Sequence, residues 1–305
     1  MNSHQSRKNN VGVLTVPLNP ETRYKIYCGQ SYIVTAHLNW LESVGLNPII
    51  IPYYARNLSE YIPHCNGLYL PSGGAFAETQ PEFYFAAKKL IELARRENKR
   101  GNYFPIWGCC MGMQQMLIEG DGHDNYNNFL ETFDSDNHYK APLIPYDDIK
   151  LFSVFSDSRL KDLTFKPLSL HNHQMGISPQ RFNRSPLKNL YRIGNTSYDR
   201  KGKEFVSTIE SKQYPFYAVQ WHPERKKGFI SLIEFFRDEC LKSNFAVPLK
   251  QSLKTQKISC MKYSNALYKY CNFYWTNDDK INNPTNCKNA DNMREKGNKK
   301  YVIIG

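Results

Sequence analysis

Phe104-Pro105-Ile106-Trp107-Gly108-Cys109-Cys110-Met111-Gly112 is the stretch that decides how this chain is read. Pro105-Ile106-Trp107 reads as a short buried strand. The residues through Met116 and Leu117 continue as a helix. Between them lies G-x-C-x-G. A strand that turns at once into a helix makes a corner too tight for side chains flanking its apex, so glycines two before and two after relieve the clash. That spacing puts Cys110, not Cys109, at the apex. A thiol there sits at a helix N-terminus, where the dipole and a nearby imidazole favour thiolate. The competing reading is a small buried cysteine between strand and helix.

Working outward, residues 11–16 (VGVLTV) and 47–52 (Asn47-Pro48-Ile49-Ile50-Ile51-Pro52) read as buried strands. Residues 31–45 between them read as a helix, capped by Ser31 and stopped by Gly45. Gly67-Leu68-Tyr69-Leu70 is a third strand, running into Ser72-Gly73-Gly74. Pro81 opens a helix that ends near Asn98. Residues 120–150 form an Asn-, Asp- and Tyr-rich excursion with short strands. Residues 204–209 and 214–221 are strands joined by a turn at Glu210 to Gln213, and 228–240 is a helix. Strands alternating with helices predict an α/β domain: a central, mostly parallel sheet flanked by helices on both faces. In such folds the loops at the carboxyl ends of strands carry function.

Three further segments carry chemistry. Gln220-Trp221-His222-Pro223-Glu224 ends a strand. A general base must reach the nucleophile and a carboxylate should hold the base in one tautomer, so His222 and Glu224 are the candidates. Alone this is a surface His-Pro turn; beside the cysteine corner it gains meaning. Gly73 and Gly74 let backbone N–H groups approach a ligand, and with the Met111 N–H they would form an oxyanion hole. Gly-Gly alone is an ordinary tight turn. Leu170-His171-Asn172-His173-Gln174 has the H-x-H pattern of a metal pair, but no third ligand has credible spacing, so no metal or other cofactor is expected. Substrate contact from a loop fits better, with His173 the candidate.

Composition bounds the rest. The chain has 305 residues, 41% hydrophobic and 14% aromatic, which excludes a largely disordered protein. The net charge is +12, of which residues 246–305 carry +7. The basicity therefore belongs to the tail, and no recognised nucleic-acid module accompanies it. No run is long and apolar enough to span a membrane. The polar N-terminus lacks an apolar signal region, which favours a cytoplasmic location. Of the eight cysteines, none forms C-x-x-C. The expected layout is a disordered basic N-terminus (1–10), a main domain (11–245), and a basic extension (246–305) packed partly on it. The loop 276–300 is expected to be flexible, with Tyr301-Val302-Ile303-Ile304 returning as a strand.

Together these motifs resemble the class I glutamine amidotransferase-like (flavodoxin-like) superfamily, and within it the γ-glutamyl hydrolase family. Residues 104–112 resemble F-P-[VI]-[WL]-G-x-C-x-G. Tyr214-Pro215-Phe216-Tyr217-Ala218-Val219-Gln220-Trp221-His222-Pro223-Glu224 resembles Y-P-x-Y-G-x-Q-W-H-P-E. Ser31-Tyr32-Ile33, Leu41-Glu42-Ser43-Val44-Gly45 and Asn172-His173-Gln174-Met175-Gly176-Ile177-Ser178 are similar to further family segments. The likeness spans 11 to about 240, and more loosely Ala266–Tyr270 and Tyr301–Ile303. Cys109 stands where Thr is common, Ser72 where Pro often precedes the glycines, and Ala218 where Gly is common. The resemblance implies hydrolysis of γ-glutamyl amide bonds in folyl poly-γ-glutamates, a small-molecule substrate. Cys110 would be the nucleophile, His222 the acid and base, Glu224 its orienter, Gly73, Gly74 and Met111 the oxyanion donors, and His173 a substrate contact. Arg23 and Lys25 are candidates for meeting the polyanion. A homodimer, and no nucleic-acid or membrane partner, is expected. Members of the family are usually secreted, lysosomal or vacuolar, an alternative to the cytoplasm. The alternatives in function are a glutaminase subunit that hands ammonia to a synthetase, and a catalytically silent binding protein of the same fold.

Overall fold

The computed structural model describes residues 9–17, 31–75, 80–122, 129–245, 247–253, 256–261, 270–275 and 303–304, and only strand positions beyond 253. In chain order the elements begin with β1 (Asn10–Leu14), β2 (Val16–Pro17), β3 (Ser31–Val34), α1 (Thr35–Glu42), β4 (Asn47–Ile51) and β5 (Gly67–Leu70). Next come α2 (Pro81–Lys99), β6 (Ile106–Cys109), α3 (Met111–Asp121), β7 (Glu131–Ala141), β8 (Ile144–Pro145) and α4 (Asp157–Phe165). Then follow β9 (Ser169–Gly176), α5 (Pro179–Arg184), α6 (Leu187–Leu190), β10 (Tyr191–Tyr198), β11 (Glu204–Ser211), β12 (Phe216–Val219) and α7 (Ile230–Leu241). Last are β13 (Gln256–Met261), β14 (Tyr270–Trp275) and β15 (Ile303–Ile304).

The main sheet has eight strands in the order β4-β1-β5-β6-β12-β11-β10-β8. From β4 to β12 neighbours are parallel; β11, β10 and β8 add antiparallel pairs. Successive side chains alternate between two cores. Leu68, Leu70, Ile106, Phe216 and Ala218 join Phe83, Leu90 and Met113 of α2 and α3 on one face. Tyr69, Trp107, Tyr217 and Val219 join Leu38, Leu41, Ile233 and Phe236 of α1 and α7 on the other. Burial on both faces is why these strands are continuous apolar runs rather than alternating ones. The mostly parallel sheet between two helical layers is the expected fold class.

Several expectations are corrected. Asn10, read with the N-terminal tail, begins β1 and is buried. The strand expected over 11–16 breaks at Thr15, and Val16–Pro17 passes to a second sheet, β15-β13-β14-β3-β2. The helix expected over 31–45 starts only at Thr35, with Val34 rather than Ser31 at its N-cap. Residues 31–34 are instead β3, paired antiparallel with β2 and β14. Local periodicity cannot reveal a partner more than two hundred residues away. The excursion over 120–150 contains one long strand, β7, which pairs with β9. The H-x-H pair therefore lies on a strand and not in a loop. β11 runs on to Ser211 and β12 starts at Phe216, which shifts the turn expected at Glu210–Gln213 two residues along the chain. Residues 1–8, Arg23, Lys25 and the loop 276–300 lie outside the described residues. Among the described residues, no helix is long and apolar enough to cross a membrane.

Candidate active site

β5, β6 and β12 are adjacent and parallel, so their carboxyl ends open on one edge of the sheet. β5 delivers Ser72–Gly74 to that edge, β6 delivers Cys110, and β12 delivers Gln220 to Glu224. The predicted segments thus converge because three neighbouring strands end there.

Cys110 is the N-cap of α3, at φ 51° and ψ −103°. A non-glycine residue there is strained by about 1–3 kcal/mol and needs its surroundings to hold it. Its N–H donates to Val219 O at 2.7 Å, and its carbonyl accepts from Gln114 N at 3.1 Å. The flanking glycines are required by close backbone approach. A Cβ on Gly112 would lie 2.1 Å from Leu70 O, and one on Gly108 would lie 3.0 Å from the Gly112 carbonyl. Leu70 is backbone of the neighbouring strand and cannot swing away. Gly112→Ala is therefore expected to destabilise the protein by about 3 kcal/mol, the upper end for overpacking. Urea unfolding of the two proteins measures it, and a difference below about 0.5 kcal/mol, the range of an ordinary surface change, would contradict this reading of the corner.

The thiol is 4% exposed. Burial pushes it up to about 12 and Glu224 adds to that; Arg225, the Met111 N–H and the Gln220 amide pull the other way. Desolvation is the largest of these influences, so burial favours the thiol over the thiolate expected from the sequence. Gln220 Nε2 lies 3.6 Å from Cys110 Sγ, and Gln220 Oε1 accepts from Gln114 Nε2 at 3.4 Å. Gln220 lies within the Q-W-H-P-E motif, but nothing in the motif itself hints at a contact to sulfur.

His222 Nδ1 is 2.8 Å from Glu224 Oε1, with both side chains almost fully buried. Burial opposes the charge on Glu224, but His222, His37 and Arg225 hold it well below the usual carboxylate range. An ionised acceptor makes Nδ1 the protonated nitrogen and leaves Nε2 its lone pair. Nε2 is buried and has no hydrogen-bond partner among the described residues. Burial lowers the His222 pKa, with Arg225 acting in the same direction and Glu224 opposing. A neutral imidazole with an unengaged lone pair can take up a proton from a thiol that comes within its reach.

The other candidates are placed unevenly. A Cβ on Gly73 would meet Val16 and the Met111 side chain at 2.6 and 2.8 Å, so that turn packs against the residue after Cys110. Gly74 is exposed, and its N–H points to Tyr32 Oη at 3.4 Å. His173 is buried on β9, with Nδ1 3.0 Å from Met175 O and Nε2 3.3 Å from His171 Nδ1. Its ring nitrogens face protein partners, though His222 lies within electrostatic reach. Opposite it, β7 bulges: Ser135 pairs with His173 and Tyr139 with His171, so Asp136, Asn137 and His138 oppose Asn172 alone. Asn137 (φ 51°) and His138 (φ 61°) are both left-handed. Arg200 fastens the bulge through Asp134 Oδ1 and the Asp136 carbonyl, each at 2.7 Å.

One group of three metal-type ligands occurs among the described residues: His37, Cys109 and Glu224, with donor atoms within 4.8 Å of one another. All three are engaged in protein hydrogen bonds. The sequence offered no sign of His37, which lies on α1 far from every motif.

Burial also gives the site a pH dependence of stability. It pushes His37 down to about 4, His173 to about 3, and His171 well below its ordinary value. Each folded pKa lies below the unfolded 6.5 or so, so the unfolded chain takes up protons first as pH falls. The stability is complete above about pH 6.5 and is lost as pH falls toward the folded values. The combined loss is on the order of several kcal/mol by pH 4. Calorimetric melting temperatures between pH 8 and 4 should fall steeply below 6.5; a flat profile would contradict the burial of three neutral imidazoles.

The Peptidase C26 family pattern matches residues 11–224 of the chain. Over 223 residues the chain is 30% identical to gamma-glutamyl hydrolase B of Dictyostelium discoideum, covering 70% of this chain and 62% of that protein. Over 203 residues it is 30% identical to the gamma-glutamyl hydrolase of Rattus norvegicus, covering 65% and 62%. The chain thus spans a little under two thirds of the length of these relatives. Among solved structures, one assigned as a GMP synthase subunit from Thermoplasma acidophilum superposes with a TM-score of 0.50 at 15% identity. That superposition covers 77% of this chain and 94% of the other, a likeness of fold.

Proposed function

The chain belongs to the peptidase C26 family, and from that premise we propose that it is a γ-glutamyl hydrolase with Cys110 as nucleophile, acting on folyl poly-γ-glutamates. The observation that carries the proposal is the constellation at one sheet edge: a strained Cys110 at the start of α3, and the buried His222–Glu224 pair with Nε2 unengaged. It has the parts of acyl transfer and of no other obvious chemistry.

In the proposed reaction the Cys110 thiol gives its proton to His222 Nε2 as sulfur bonds to the γ-carbonyl carbon. The carbonyl oxygen takes up the electron pair and is held by backbone N–H groups of Met111, Gly73 and Gly74. As the tetrahedral adduct collapses, the C–N bond breaks and His222 gives its proton to the departing amine. A thioester to Cys110 remains. His222 then takes a proton from water, whose oxygen adds to the thioester carbonyl. Collapse of that adduct breaks the C–S bond, and the sulfur recovers its proton. Starting from thiol and imidazole keeps the buried site nearly neutral, and charge appears only where donors meet it. Glu224 balances the imidazolium when it forms.

Purified protein given pteroyl-penta-γ-glutamate is expected to release shortened folates, resolved by chromatography. Ammonia from free glutamine without folate shortening would replace this reading by that of a glutaminase subunit. Turnover of neither substrate would overturn it.

A further inference from the structure

Two buried groups at the site, Cys109 and His37, have no part in the proposed reaction. We propose that Cys109 is a positioning residue, whose thiol donates the hydrogen bond that fixes the second carboxylate oxygen of Glu224 and thereby the His222 ring. This rests on the reading of Cys110, His222 and Glu224 given above.

Glu224 is a fully buried carboxylate, and each of its oxygens needs a donor. Oε1 takes the His222 Nδ1 proton. Oε2 faces Cys109 Sγ at 3.4 Å. The thiol also faces Trp221 O at 3.5 Å, but an ionised carboxylate is the stronger acceptor. Cys109 cannot drift, because it is the last residue of β6 and pairs in register with Val219 of β12. It is 0% exposed, and burial together with Glu224 holds its pKa well up, so it keeps the proton it donates.

Behind the thiol lies a second buried run of hydrogen bonds. Ser72 N–H donates to His37 Nε2 at 3.2 Å, which makes that nitrogen an acceptor and leaves the proton on Nδ1. His37 Nδ1 lies 2.8 Å from Tyr69 Oη, to which it donates. Tyr69 and Cys109 are both fully buried and lie within electrostatic reach of each other. Two hydrogen-bonded runs therefore lie side by side, Ser72–His37–Tyr69 and Cys109–Glu224. A buried chain whose members are all satisfied is rigid, and an unsatisfied link is costly. Cys109 is the link that touches Glu224.

The test separates the hydrogen bond from packing. Cys109→Thr and Cys109→Val have nearly the same shape and differ in one hydroxyl. Cys109→Ser and Cys109→Ala repeat the contrast with smaller side chains, should either larger residue prevent folding. The Val and Ala forms are expected to lose about tenfold or more in kcat with little change in KM, in line with a lost hydrogen bond to a charged group. The Thr and Ser forms should recover most of it. Alkylation of Cys110 by iodoacetamide, located by peptide mass spectrometry, should follow the same order. That second readout needs no substrate. If no γ-glutamyl compound is turned over but the alkylation order holds, the proposed function fails and the positioning role stands. Equal rates within each hydroxyl pair, in folded proteins, would overturn the positioning role.

Discussion

Cys110→Ala is expected to lower γ-glutamyl hydrolysis by about 10⁴-fold or more and to leave the fold intact. The loss follows from chemistry, since no atom of alanine can form the thioester. The intact fold follows from packing: the Cys110 side chain fills no large core position, and the corner is held by backbone bonds to Val219 and Gln114. Cys109→Ser, by contrast, should keep most activity, because it retains a donor toward Glu224. Equal, large losses in both variants would mean that the glycine spacing does not identify the nucleophile.

His222→Ala should cost about 10³-fold in kcat, the scale of a general acid–base group. The effect is large here for a reason specific to this site. Burial holds the Cys110 thiol at a pKa of about 12, so little thiolate exists at neutral pH without a base to take the proton. A site with a preformed thiolate would tolerate loss of the base better in the first step. Single-turnover kinetics across pH check this: the variant's residual rate should keep rising with pH well above 8, as hydroxide replaces the imidazole. A residual rate flat from pH 7 to 9 would show that the thiolate is already formed at rest.

The fold was legible where the signal is local. β4 and β5 are apolar runs closed by Pro52 and Pro71, and α2 opens on Pro81 as expected. The convergence of the candidate segments was legible for a related reason. These segments occupy the ends of three adjacent parallel strands, and each carries its own motif within a few residues. What was hidden depends on distant partners. Ser31–Val34 has an acceptable helical pattern, yet pairs with β14. The β7 bulge lies in an Asn- and Asp-rich stretch whose register is set by β9 and by Arg200. His37, buried on α1, reaches Tyr69 and Ser72 only after the chain has folded. The burial that opposes a Cys110 thiolate was hidden too, because a helix dipole can be read from sequence order, whereas the extent of desolvation cannot.

The central claim is that Cys110 carries the γ-glutamyl group. The most direct measurement is the mass of the protein quenched in acid during turnover of a γ-glutamyl substrate, followed by peptide mapping. The expected result is a transient adduct of the mass of the substrate's acyl portion, attached to Cys110 and absent from Cys110→Ala. An adduct on Cys109, or steady turnover by Cys110→Ala, would contradict it.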